Sequence, residues 1–287
     1  MKISVSSYSF HQYIKAGKMT AFECVAKAKE MGFDAIEFTD LPGETLEDQK
    51  KLAAEIAAEA ERVGIEINAY TIRGDLYHDT EEGSDAEVKR LCEQLDVAKV
   101  LGAPIMRHDV CHKLGKEGNS RSFDLMLPTI AKNARRVSEY AKTLGIKTCS
   151  ENHGYIAQDS DRVERLFNAV GHDNYGLLLD FGNFLCVDED PAKAVSRLAP
   201  YAIHIHAKDF RVGDNPDCGR NIRTRGANYL CGTVIGEGVV PVAKCLAIVK
   251  NAGYDGYVSI EYEGIEDCIV GLSRGIVNLK KYISALE

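Results

Sequence analysis

The sequence has little that would hold it in a membrane or on a nucleic acid. No apolar run approaches the roughly 20 residues needed to span a bilayer. The first residues, Met1-Lys2-Ile3-Ser4-Val5-Ser6-Ser7, lack the long apolar core of a signal peptide. Both absences lead to the expectation of a cytoplasmic protein with no membrane partner. There is no basic excess either: 35 Lys and Arg stand against 43 Asp and Glu, a net charge of −8, which argues against a sequence-independent hold on nucleic acid. The nine cysteines are odd in number and contain no Cys-x-x-Cys pair. A disulfide framework and a cysteine zinc knuckle are therefore disfavoured, and the expectation is of reduced thiols, several of them packed as small hydrophobes. Also missing is a glycine-rich turn after the first apolar run. The chain there reads Ser6-Ser7-Tyr8-Ser9-Phe10-His11, without the usual mark of an open nucleotide-binding sheet. The lone Gly236-Glu237-Gly238 comes late in the chain and is weak evidence for a phosphate loop.

What is present is an ordinary globular composition, 45% apolar and 27% charged, which excludes wholesale disorder. The 287 residues suffice for one large buried core. Short apolar runs at 3–8, 35–38, 65–70, 104–108, 146–150, 176–180, 202–206 and 257–261 are too apolar for a one-sided sheet and read as parallel strands covered on both faces. Amphipathic stretches alternate with them at 20–31, 46–63, 85–101, 122–144, 159–170, 191–198, 242–251 and 270–285. Thr20 offers an N-cap, and Gly64, Gly102, Gly145 and Gly171 offer C-terminal stops. Eight strand–helix units without a linker predict an α/β fold, a closed (β/α)8 TIM barrel, as a single domain over residues 1–287.

In such a barrel the chemistry sits at the carboxyl ends of the strands. The last four strands end in Glu151-Asn152-His153, Asp180-Phe181-Gly182-Asn183, His204-Ile205-His206-Ala207-Lys208-Asp209 and Glu261-Tyr262-Glu263. Gathering three carboxylates is unfavourable unless a cation compensates. Three oxygen ligands and one imidazole suit one divalent metal ion, manganese, magnesium or cobalt, with zinc also admissible. Strand alternation leaves His204 and His206 equivalent, and likewise Glu261 and Glu263. Other polar residues at the same end are candidates for holding substrate. Of Arg107 and His108, which end the fourth strand, one faces the opening. Lys208 neutralises developing charge or pairs with Asp209. Glu37, ending the second strand, reads as a structural hydrogen-bonding group ahead of a substrate contact. Tyr8, Phe10 and His11 offer a stacking wall, and the long stretch 211–225 carries Arg211, Arg220, Arg223 and Arg225 for a phosphate or carboxylate, or as a solvated loop.

At these residues the sequence resembles the xylose isomerase-like superfamily, in particular its sugar phosphate isomerase/epimerase group. The resemblance runs over nearly the whole chain, through Gly32-Phe33-Asp34-Ala35-Ile36-Glu37, Glu151-Asn152-His153-Gly154, Asp180-Phe181-Gly182-Asn183, His204 to Asp209, Gly236-Glu237-Gly238 and Tyr254 to Glu261. It implies a barrel with one metal ion on Glu151, Asp180, His206 and Glu261, and so selects His206 and Glu261 from their pairs. It implies Glu151 and Glu261 as the proton-moving residues of a sugar isomerase or epimerase working through a metal-stabilised enediolate. His153, Asn183, Lys208, His108, Arg107 and Arg211 are the expected substrate-binding set, the partner a small-molecule carbohydrate. Homo-oligomers occur among relatives. A lyase or dehydratase acting on a keto-sugar, keto-inositol or oxidised glycoside begins with the same proton abstraction and is the runner-up. The DNA-repair endonuclease branch carries a histidine where this chain has Asn183, which counts against an AP-endonuclease-type phosphodiesterase. A sugar-binding barrel without catalysis is the remaining alternative.

Overall fold

A computed structural model describes residues 1–213 and 221–286. Strands β1 (Lys2–Ser6), β2 (Ala35–Thr39), β3 (Glu66–Ile72), β4 (Ile105–His108), β5 (Lys147–Glu151), β6 (Tyr175–Asp180) and β7 (Ala202–Ala207) are followed by a small three-stranded excursion, β8 (Asp209–Gly213), β9 (Asn221–Arg223) and β10 (Tyr229–Thr233), and then by β11 (Tyr257–Ile260). Strands β1 to β7 and β11 close into one barrel, each pairing parallel with its neighbours, with β11 joining β7 to β1. The (β/α)8 expectation holds, in a single domain. Around the barrel lie α2 (Glu23–Glu30), α3 (Leu46–Val63), α4 (Glu81–Leu101), α5 (Phe123–Leu144), α6 (Ser160–Val170), α7 (Pro191–Leu198), α8 (Val242–Asn251) and α9 (Cys268–Ser284), with the short α1 (His11–Lys15) after β1. No described helix is long and apolar enough to cross a membrane.

Local chemistry sets the boundaries. Helix α3 opens with a reciprocal capping box between Thr45 and Asp48 and stops at Gly64, whose φ of 71° closes the last turn in the left-handed region. Helix α4 starts four residues before the expected 85, because Thr80 caps it by accepting from Gly83 N at 3.1 Å. Helix α9 starts at Cys268, since Asp267 accepts from the Ile269 and Val270 amides. Thr20 binds the Glu23 amide, but the helix itself begins only at Glu23. The largest departure is the segment after β7. In place of one long loop, β8 and β9 both pair antiparallel with β10. Strands this short, interrupted by Gly232, leave no readable alternation.

The hydrophobic core lies between barrel and helices, where Phe38, Ile56, Leu91, Ile130, Leu246 and Leu279 are buried completely. The barrel interior is different. Register places Glu37 beside Ser6 and Ala69, and His206 beside Asp180 and Ser259. Barrel interiors are usually filled with bulky aliphatic residues. Here the lumen contains small and ionisable side chains, and these lead up to the mouth. Seven described cysteines are free and mostly buried. Cys231 is disulfide-bonded, contrary to the reduced-thiol expectation at that position. Cys218 lies outside the described residues.

Candidate metal centre

Glu151 ends β5, Asp180 ends β6, His206 is the fifth residue of β7, and Glu261 follows β11. Each points inward by strand alternation. One ligand atom from each lies within 4.8 Å of all the others. His206 Nδ1 stands 3.8 Å from Glu151 Oε1, 3.9 Å from Asp180 Oδ2 and 3.9 Å from Glu261 Oε2. Asp180 Oδ2 and His206 Nδ1 are fully buried and have no hydrogen-bond partner. A buried polar atom without a partner is costly. Two such atoms facing a pair of carboxylate oxygens fit a hard divalent cation, which would satisfy all four at once.

The remaining lone pairs are tied down. Asp180 Oδ1 accepts from Gly182 N and Asn183 N at 2.8 Å each, where the chain turns out of β6. Burial pushes the Asp180 carboxyl up to about 6. Asn152, next to Glu151 in sequence, bridges to the backbone N–H and C=O of Asp180 at 2.9 Å, locking β5 to β6 at the level of the site. His204 and His206 both point inward, as alternation requires, but to different partners. His204 Nε2 contacts Glu37 Oε2 at 2.6 Å, and His206 Nε2 stands 2.7 Å from Glu37 Oε1, leaving His206 Nδ1 to face the carboxylates. Burial disfavours a charged His206, but the Glu37 carboxylate outweighs it and raises the imidazole to about 10. Glu261 and Glu263 also separate: Glu261 Oε2 faces His206, while Glu263 Oε1 accepts from Lys208 Nζ at 3.1 Å.

Two cations flank the cluster. Arg107 donates through Nε to Glu151 Oε2 at 2.6 Å and also through Nη2, while Nη1 is held by Ile72 O at 3.0 Å. Burial opposes ionisation of Glu151, but the Arg107 guanidinium holds its carboxyl below the usual range. Lys208 Nζ contacts Glu261 Oε2 and Glu263 Oε1, reaches Asn183 Oδ1 at 3.3 Å, and stands 3.6 Å from Asp180 Oδ2. Despite burial, these carboxylates hold the ammonium pKa well above its ordinary value. Lys208 does not pair with Asp209. The Asp209 carboxylate instead accepts the backbone N–H groups of Phe210, Gly236, Gly238 and Val240. That explains Gly236-Glu237-Gly238 as a turn wrapped on a carboxylate, with its amides already used, rather than a phosphate loop.

Asn183 donates to Glu151 Oε1 at 2.8 Å. His153 sits at the open side, hydrogen-bonded to Asp109 Oδ1 at 2.9 Å. Two expected substrate-binding residues are not brought to the cluster. Arg107 pairs in register with inward-facing Cys149, so the pleat turns the next residue, His108, to the opposite face, with its ring 6.5 Å from that of Tyr175. Arg211 is exposed on β8 and lies near Glu237 and Glu266. Arg225 is engaged with Asp159 and the Tyr155 carbonyl, and Arg220 lies outside the described residues. Near β1, Phe10 is buried, and Tyr8 stacks on His11 with ring centroids 5.2 Å apart. Sequence reasoning missed Asp109, which sits one residue beyond β4 and lies 3.6 Å from Arg107 Nη1 as well as binding His153. The only signal for it was its place at a strand end.

Comparison with known proteins agrees with the barrel fold. An inosose dehydratase of Lacticaseibacillus casei is 26% identical over 137 residues, which cover 47% of this chain and 46% of the relative. The chain thus spans about half the length of the first curated relatives it matches. Among solved structures, the IOLI protein with a binding zinc atom superposes with a TM-score of 0.78 at 15% identity, covering 100% of this chain and 99% of the other. An L-ribulose 3-epimerase gives a TM-score of 0.72 at 17% identity, covering 99% and 95%. At such identities the structures establish the fold alone. The family described as the xylose isomerase-like TIM barrel matches residues 25–282, nearly the full length, and this chain belongs to it.

Proposed function

We propose that the protein is a divalent-metal-dependent isomerase or epimerase that removes a proton alpha to the carbonyl of a sugar. The observation that carries this reading is the convergence of two glutamates, from β5 and from the end of β11, on one Asp–His pair, each with its own cation. A divalent cation on Glu151, Asp180, His206 and Glu261, manganese first and magnesium, cobalt or zinc as alternatives, would polarise the carbonyl and stabilise the negative charge left when the proton departs.

The chain's own residues supply the rest. Glu151, kept ionised by Arg107, is the base for the alpha proton. Glu261 approaches from across β6 and β7 and returns a proton, either on the opposite face of the same carbon or at its neighbour. Lys208 delivers positive charge on the Glu261 side, and Asn183 and His153 offer groups for substrate hydroxyls. Glu151→Gln and Glu261→Gln are each expected to abolish exchange of the alpha proton with deuterated water. Full exchange in both variants ends the assignment.

A second reading, a dehydratase of a keto-inositol or keto-sugar, is favoured by the relative named inosose dehydratase and by His153. Burial would lower the His153 pKa, but Asp109 outweighs it and raises it, which suits a donor to a departing hydroxyl. Product mass separates the two: isomerisation conserves it, dehydration removes one water.

A further inference from the structure

Glu37 lies on β2, on the far side of the lumen from Glu151 and Asp180, and is completely buried. It touches none of the three carboxylates of the cluster. Both of its oxygens face imidazoles: Oε2 is hydrogen-bonded to His204 Nε2 at 2.6 Å, while Oε1 lies 2.7 Å from His206 Nε2 as a close charged contact outside hydrogen-bond geometry. The two rings meet edge to face, with centroids 5.5 Å apart. A carboxylate oxygen and a bare imidazole nitrogen would repel each other at these distances, so each Nε2 facing Glu37 carries hydrogen. The proton that His206 gives up to bind a cation must then be the one on Nδ1, the atom facing Glu151, Asp180 and Glu261.

We infer that Glu37 is a positioning residue that fixes the orientation and tautomer of His206, and that His204 pins Glu37 by occupying its second oxygen. The inference rests on the metal-centre reading above and deepens it. A carboxylate behind a metal-bound histidine raises ligand basicity, and its loss costs about 10- to 100-fold in metal affinity. His204 has the sequence position of a ligand but the function of a brace. Without it, the Glu37 carboxylate is free to rotate about its last torsion and let His206 turn.

The test is calorimetric titration of the folded, metal-free protein with Mn2+ and with Zn2+. Glu37→Gln offers one acceptor oxygen to two N–H donors and is expected to weaken both metals by about 10- to 100-fold. His204→Ala is expected to weaken them less, and His204→Gln, whose amide keeps a donor toward Glu37, to recover most of that loss. A purely structural Glu37 would lower the melting temperature of the metal-free protein and leave the dissociation constants unchanged. That result overturns the inference, as does equal affinity in His204→Ala and His204→Gln if both are weakened. Nitrogen-15 spectra of histidine-labelled wild type give a readout independent of metal. His206 Nε2 is expected to be protonated, and an unprotonated Nε2 refutes the inference. If wild type binds neither metal, the metal-centre reading fails, while the tautomer result still decides the role of Glu37.

Discussion

On one wall of the mouth Arg107, from β4, grips Glu151; on the other, Lys208, just past β7, reaches Glu261. Both walls pair a carboxylate with a cation, yet the supports differ. The guanidinium is planar and held at three points: Glu151, the Ile72 carbonyl and the neighbourhood of Asp109. The ammonium ends a flexible stem and is shared among Glu261, Glu263, Asn183 and Asp180. Solvent access follows the same division. The Glu151 side chain is 1% exposed, against 11% for Glu261 and 10% for Glu263. A fork geometry suits a fixed base, and a point charge suits a partner that must adjust as charge develops. In the proposed reaction, the rigid wall suits proton removal and the adjustable wall suits proton return.

The largest expected effect breaks the rigid wall. Arg107→Met leaves Glu151 and Asp109 buried without their cation, and removing one partner of a buried pair costs about 3–5 kcal/mol. Denaturant midpoints of the metal-free protein check this. A loss below about 1 kcal/mol, the range of an exposed pair, would show that the guanidinium does not hold the wall. Lys208→Met breaks the adjustable wall and is expected to cost less, about 1–3 kcal/mol, because Glu261 and Glu263, its two nearest carboxylates, are closer to water than Glu151 and can relax outward. Equal losses from the two variants would erase the distinction.

How much of this was legible in the sequence follows from which side chains are forced by period and which by contact. The eight barrel strands were readable because both of their faces are buried, so the apolar runs are continuous; the excursion β8–β10 was not, since its strands are short and half-solvated. Glu151, Asp180, His206 and Glu261 stood out as polar residues closing apolar runs. Period could not distinguish His204 from His206, for both face the lumen; the difference arises from Glu37, which comes from β2 and is 167 residues away from His204. Nor could it choose between Arg107 and His108. There the register of β4 on β5 decides, and register is a property of the pair of strands.

The smallest expected effect sharpens the comparison at the edge of the rigid wall. His153 bonds Asp109 but is 43% exposed, so its ion pair is largely screened by water and its contribution to stability is small. Its sign with pH is nevertheless fixed. Burial lowers the imidazolium pKa, and the Asp109 charge and hydrogen bond more than reverse that, so the folded pKa lies above the ordinary 6.5. A pKa raised by folding means that the folded state binds the proton more tightly. The stabilisation is then fully present below about pH 6.5, the unfolded value, and is lost as pH rises through the folded pKa. The difference in denaturant midpoint between wild type and His153→Gln, measured without metal, should be largest at pH 6 and shrink toward pH 9. A difference that grows with pH would mean that His153 is held neutral by Asp109's surroundings, and that the rigid wall ends at Arg107.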